Sequence, residues 1–219
     1  MDIFDIIGPV MTGPSSSHTA GAVRLGRLAA SILGTEVSEA VMGLHGSFAC
    51  TGEGHGTDRA LVSGLMGWTD DDPRIAQPFE AAEAAGIRYS FENVDLGELA
   101  HPNSVRFSLL GRKGESCTIT GSSVGGGRVL ITAIDDIRLE ITGEMPTLFV
   151  LHGDRPGVIA GVTRILAERQ INVARMSMFR KKKGDLAAMV VETDQPVTGG
   201  DLERIGWLEN IIKVRNVRR

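Results

Sequence analysis

Seven consecutive residues, Gly13-Pro14-Ser15-Ser16-Ser17-His18-Thr19, set four hydroxyls and an imidazole on a Gly-Pro turn. An apolar stripe follows at helical spacing, Leu25, Leu28, Ala29, Ile32 and Leu33, so the turn stands at a helix N-terminus. One hydroxyl, from Ser17 or Thr19, is enough to cap that helix. The surplus donors sit where free N–H groups and the positive end of the helix dipole favour an anion such as a carboxylate. His18 adds a group able to accept or relay a proton near neutral pH. The plainer alternative is a Ser-rich loop with a capping histidine.

Three further stretches carry polar groups on glycine-rich or turn-forming backbone. Cys50-Thr51-Gly52-Glu53-Gly54-His55-Gly56-Thr57-Asp58 follows an apolar, strand-like run from Ala40 to Ala49 and leads into a helix that starts at Thr57 or Asp58. His101-Pro102-Asn103-Ser104 is a polar turn, and Gly121-Ser122-Ser123-Val124-Gly125-Gly126-Gly127 reads as a loop. No Walker pattern and no Gly-x-Gly-x-x-Gly occurs, which argues against a nucleotide site. A hydrolase built on Ser17 and His18 is disfavoured, because adjacent residues rarely face each other as nucleophile and base. A zinc site from His18, His55, His101 and Cys50 lacks ligand spacing on any one element. His45 falls mid-strand as a structural residue, and Asp70-Asp71-Asp72-Pro73 reads as a solvated turn.

The elements that must position these groups fall into two blocks. Met1 to Val10 is an amphipathic lead-in with Ile3, Phe4, Ile6 and Ile7 available to pack. Beyond the second helix come a third over Phe79–Ala85 and strands over Gly86–Val94, Val105–Leu110, Ser116–Thr120, Val129–Ala133 and Ile137–Ile141. Short turns between these strands predict a mostly antiparallel sheet. Gly143-Glu144-Met145-Pro146 marks a domain boundary. After it the order is strand (Thr147–Leu151), helix (Gly157–Arg169), two strands (Val173–Arg180, Leu186–Val191), helix (Asp201–Leu208) and strand (Ile211–Val217). That βαββαβ order predicts a ferredoxin-like α+β sandwich, with Lys181-Lys182-Lys183-Gly184 as a solvated hairpin tip.

Composition bounds the partners. A chain of 219 residues, 42% hydrophobic and 23% charged, has ample material for a buried core. The net charge of -4 gives no electrostatic case for nucleic acid or an anionic membrane. No run approaches a membrane span, and no basic stretch precedes an apolar one at the start, so a cytoplasmic protein is expected. Two cysteines, Cys50 and Cys117, make no disulfide framework and are too few for a four-iron cluster.

Two resemblances arise from these motifs. His152-Gly153-Asp154-Arg155-Pro156-Gly157-Val158-Ile159, followed by Ile171-Asn172-Val173-Ala174, resembles an ACT domain, a regulatory module that usually senses amino acids. The resemblance implies an effector site at His152, Asp154 and Gly157, completed by Asn172 of a second copy, and hence homodimerisation through this module. Gly13–Thr19, Gly52–Asp58, His101–Ser104 and Ser122–Gly127 together resemble the β chain of bacterial iron–sulfur-dependent L-serine dehydratases. A related fold serves as the allosteric substrate-binding domain of some phosphoglycerate dehydrogenases.

The resemblances imply an α+β protein, with a serine dehydratase β-chain domain over 1–143 and an ACT domain over 147–219. They imply deamination of L-serine to pyruvate and ammonia, together with an α chain that carries the [4Fe–4S] cluster; this chain alone is expected to be inactive. His18 and Ser17 would be catalytic, and Ser15, Ser16, Thr19, His55, Asn103 and Ser123 would bind substrate. The alternative is a non-catalytic subunit that senses an amino acid and regulates an enzyme.

Overall fold

The computed structural model describes residues 10–52 and 54–218. Ile3, Phe4, Ile6 and Ile7 of the expected amphipathic lead-in, and Glu53, lie outside these residues. Helix α1 (Gly21–Leu33) buries the predicted stripe and ends at Gly34, whose left-handed conformation returns its N–H to the carbonyl of Ala30. Helix α3 (Thr57–Leu65) crosses α1 with the two backbones in contact. A Cβ on Gly64 would stand 2.1 Å from the carbonyl oxygen of Val23, and one on Gly26 2.5 Å from that of Leu61. Only glycine lets the two helices approach this closely.

Six strands form the first sheet: β1 (Val37–Gly46), β2 (Arg88–Asn93), β3 (Asn103–Gly111), β4 (Ser116–Gly125), β5 (Arg128–Ile134) and β6 (Ile137–Ile141). Their order is β2-β1-β3-β4-β5-β6; β1 and β2 run parallel and every other pair is antiparallel, as the short turns predict. Val105, Phe107 and Leu109 of β3 and Cys117 and Ile119 of β4 point inward, with Arg106, Ser108 and Leu110 facing out. Helix α4 (Phe79–Ala84) precedes β2.

Two expectations fail here for identifiable reasons. β1 stops at Gly46 instead of continuing to Ala49, because Gly46 adopts φ +57 and turns the chain into α2 (Ser47–Thr51). The stretch Gly121–Gly127 is not a loop. β4 runs through Ser122 and Ser123, which pair with Leu130 and Val129 of β5, so that the turn is confined to its glycine end. Ladder partners on both sides outweigh the weak strand preference of Ser and Gly.

The second sheet has order β10-β7-β9-β8, all antiparallel, from β7 (Thr147–Gly153), β8 (Val173–Arg180), β9 (Leu186–Thr193) and β10 (Ile211–Val217). With α5 (Val158–Glu168) and α6 (Gly199–Gly206) the order is the predicted βαββαβ. One face packs Leu148, Val150, Met189 and Val191 against Val162, Ile165, Leu166 and Ile205 of the helices. The other face, Phe149, Leu151, Ala188 and Val190, joins the core of the first sheet. Two-sided burial explains why β7 and β9 are continuous apolar runs without alternation. The C-terminal end of α1 is also tied to β10. Arg215 Nε donates to Leu33 O at 3.0 Å, Ser31 Oγ donates to Asn216 O at 3.1 Å, and the N–H of Arg218 donates to Ser31 Oγ. Among the described residues no helix is long and apolar enough to cross a membrane.

Candidate functional site

Ser15, with extended backbone (φ −139, ψ 124), accepts the N–H of His18 on its Oγ at 3.1 Å. The cap is therefore Ser15, not Ser17 or Thr19. The reason is local: Ser16–Ala20 winds as one π-helical turn ahead of α1, which moves the cap back along the chain. Ser16 and Ser17 are half-buried in this turn, and among the described residues their hydroxyls meet no partner. Thr19 is buried and donates to the carbonyl of His55, while Thr57 donates to the carbonyl of His18, both at 3.1 Å. These two hydroxyls stitch the first turn to the Gly-rich loop before α3.

His18 Nε2 lies 3.1 Å from Ser47 Oγ and 3.2 Å from Thr51 Oγ1. Thr51 spends its hydroxyl hydrogen on the carbonyl of Ser47 at 2.9 Å, so its contact with His18 has the imidazole N–H as donor. His55 Nδ1 stands 2.9 Å from the carbonyl of Thr51 and must donate, which leaves a lone pair on Nε2 of the neutral ring. The His18 and His55 rings lie 4.8 Å apart, and Phe48 meets His18 edge-on at 5.3 Å. Burial first, then the charge of His55, holds His18 below the usual histidine value, against a backbone hydrogen bond to Ser47 that raises it. Two imidazoles thus share one hydroxyl-rich corner.

Beside them opens a cleft of about 330 Å³ lined by Thr12, Gly13, Thr19, His55, Arg59 and Ile75, among others. Asn103 is close to the imidazoles, since it pairs with Gly46 across β1 and β3 while the N–H of Ser47 donates to Pro102 O. Its own N–H donates to His101 Nδ1, so His101 is occupied locally. Ser123 lies elsewhere. It is fully buried behind the π-helical turn, and a Cβ on Gly21 would stand 2.1 Å from its Oγ, which has no partner among the described residues. Ser122 donates to Ser104 at 2.7 Å, because Ser104 spends its own hydrogen on His101 O. His45 accepts the N–H of Leu96 and is structural, as expected.

Sequence reasoning missed Ser47 and Thr51. Read as an α-helix, their i, i+4 spacing would have put both hydroxyls on one face. It also missed Arg24, which is buried inside α1, donates to Gly127 O at 2.6 Å and pairs with Asp70 at 2.6 Å. Asp70 is therefore not part of a solvated turn. Its carbonyl accepts the N–H of Thr12, which places this buried pair directly under the entrance to the Ser-rich turn.

The profile of the serine dehydratase beta chain family matches residues 1–96, and that of the ACT domain matches 147–206. A probable L-serine dehydratase beta chain of Bacillus subtilis is 44% identical over 98% of this chain and 97% of its own length. The L-serine dehydratase beta chain of Peptoniphilus asaccharolyticus is 41% identical over 89% and 88%. This chain belongs to the serine dehydratase β-chain family. A D-3-phosphoglycerate dehydrogenase of Synechocystis is 28% identical over 90% of this chain but only 34% of its own length.

The ACT turn of this β chain is built differently from the imidazole corner. His152 is buried; Nδ1 meets the carbonyl of Gly153 at 2.8 Å, and Nε2 has no partner among the described residues. Gly157 starts α5 in the left-handed region (φ 92) without a side-chain cap, so Asp154 does not serve as the helix cap. Asp154 Oδ2 instead accepts the N–H of Gly184 and an Arg180 N–H, both at 2.9 Å. The Gly184 bond, then Arg180, holds its carboxyl below the usual carboxylate value. Asn172 lies beyond the far end of α5, donating to Asp194 at 2.8 Å.

A four-iron cluster does not fit the residues here. Cys117 is buried with its thiol pushed up to about 11, Cys50 lies on α2, and no group of three or more metal-ligating residues converges among the described residues.

Proposed function

We propose that this chain is the β subunit of an L-serine dehydratase, deaminating L-serine to pyruvate and ammonia together with an α chain. The observation that carries this reading is the pair of imidazoles at 4.8 Å, held by Ser47, Thr51 and the Ser-rich turn, beside a cleft with room for a small amino acid. Loss of water from serine needs removal of the Cα proton and departure of the C3 hydroxyl. The enamine formed isomerises to an imine, which water hydrolyses to pyruvate and ammonia. The lone pair on His55 Nε2 is the open acceptor for the Cα proton, and His18, with its proton on Nε2 toward Ser47 and Thr51, fixes the corner and relays charge. Hydroxyls of Ser15, Ser16 and Ser17 bind polar ends of the substrate, Thr19, whose hydroxyl hydrogen is spent on the carbonyl of His55, lines the cleft, and Asn103 flanks it. The α chain supplies the [4Fe–4S] cluster of the resemblance.

The ACT module of this subunit pairs with a second copy. The reading is supported by β8 standing at an edge of its sheet and by Asn172 following the opposite end of α5 from the 152–157 turn. A second reading, an amino-acid-sensing subunit without catalysis, draws on the relationship to phosphoglycerate dehydrogenase. The experiment is co-expression with the α chain, anaerobic reconstitution and a pyruvate assay. His18→Ala is expected to keep α-chain association while lowering turnover by about 10² or more. An active complex indifferent to His18→Ala and His55→Ala would instead favour the sensor.

A further inference from the structure

We propose that Arg59 anchors the carboxylate of the amino-acid substrate, an inference that rests on the reading of the cleft as the substrate site. The hydroxyls described above carry no charge, whereas every α-amino acid brings a full negative charge on its carboxylate. Among the described residues lining the cleft, Arg59 is the one permanent cation. His55 stands on the turn that leads into α3 and Arg59 on the first turn of that helix, and both line the same cleft, so a carboxylate on the guanidinium leaves the adjacent Cα close to the imidazole corner. Arg59 is an exposed residue of that lining. Arg59 falls in the first turn of α3, where the helix dipole disfavours a cation, and none of the described carboxylates forms an ion pair with it. A bound anion relieves that cost. A planar guanidinium accommodates a carboxylate through two parallel hydrogen bonds, which fixes orientation as well as charge.

Specificity follows from this assignment. The site selects for a free α-carboxylate and against the same molecule with that charge removed. The test compares L-serine with L-serinamide in the reconstituted αβ complex, using the native chain, Arg59→Gln and Arg59→Lys. Native complex is expected to favour L-serine in kcat/KM, and Arg59→Gln to raise its KM by about 30-fold or more with a much smaller fall in kcat. In Arg59→Gln the preference for L-serine over the amide should collapse, and Arg59→Lys should recover part of it. Equal KM in native and Arg59→Gln complexes, or a preference for L-serine that survives the substitution, overturns the assignment. Calorimetric titration of both ligands into the complex separates the two levels of inference. Serine binding that depends on Arg59 in a complex without turnover keeps the anchor and removes the dehydratase reading. Turnover that is indifferent to Arg59 does the reverse. If Arg59→Gln does not assemble with the α chain, Arg59→Lys carries the test, and an unchanged serine-to-amide ratio with unchanged KM overturns the anchor.

Discussion

The turn at Ser15–Thr19 and the turn at His152–Gly157 each lead into a helix, yet their polar groups stand in opposite condition. In the first, hydroxyls and imidazoles stand beside an open cleft, and a charge pair, Arg24 with Asp70, is buried nearby as support. In the second, the carboxylate of Asp154 is already committed to Arg180 and Gly184, across the turn to the neighbouring β-hairpin. A corner that keeps an open lone pair on His55 Nε2 and free hydroxyls on Ser16 and Ser17 among the described residues can exchange a proton when a ligand arrives. A compensated ion pair fixes backbone geometry. The comparison suggests chemistry at the first turn and shape at the second.

Breaking the support of the first turn should have the largest effect on stability. Arg24 and Asp70 side chains are 8% and 15% exposed, so Arg24→Met leaves a buried carboxylate unpaired. The expected cost is about 3–5 kcal/mol, measured as the urea midpoint with unchanged slope. Arg24→Met combined with Asp70→Asn should recover a large part of it. A cost below about 1 kcal/mol for the single substitution would show that the pair does not support the turn.

The two turns should also separate by pH. His18 is held below its ordinary value of 6.5, so between the lowered value and 6.5 the unfolded chain binds more protons than the folded one. Stability contributed by this group is therefore present above 6.5 and declines as pH falls through that window. Asp154 is held below 3.8, so its contribution persists to lower pH and is lost only as pH falls through the depressed carboxyl value. Urea midpoints recorded from pH 7.5 to 3 should show both declines. His18→Gln should flatten the upper one and leave the lower one in place. A profile of His18→Gln that parallels the native protein would sink the assignment of the upper window.

Much of this molecule could be read along the chain because local periodicity and local packing agree. The stripe of α1, the alternation in β3 and the βαββαβ order of the second sheet each satisfy one buried surface at a time. The failures occur where distant parts decide. Gly46 takes a positive φ against Pro102, just ahead of β3, where a side chain would not fit, and the chain turns there into the helix Ser47–Thr51, so the hydroxyls that hold His18 were hidden. Ser122 and Ser123 look like loop residues until β3 and β5 are placed on either side of them. Arg24 sits on the buried side of an amphipathic helix, and only the return of the chain at Asp70 explains its charge. Ser15 became the cap because a π-helical turn adds a residue that a 3.6-residue period does not count.

The smallest effect is expected at Asp154, and it decides what that carboxylate is for. An N-cap reading predicts that Asn substitutes freely, since Asn caps nearly as well as Asp. An ammonium-binding reading predicts weaker amino-acid binding in Asp154→Asn. The observed contacts point to a third outcome. Asn keeps one side-chain oxygen for the N–H of Gly184 but loses the charge opposite Arg180, an exposed pair of the kind that contributes little. Asp154→Asn should therefore shift the urea midpoint only slightly at pH 7 and remove only a correspondingly small share of the acid-side decline, to which the carboxyls of Asp72, Glu115 and Asp201, also held below their ordinary values, contribute. Amino-acid titrations into the αβ complex should differ by less than about threefold between native and variant, because an incoming ammonium would have to displace Arg180 to gain the same partner. A tenfold loss of amino-acid affinity, with the urea midpoint unmoved, would transfer Asp154 from shaping the turn to holding the ligand.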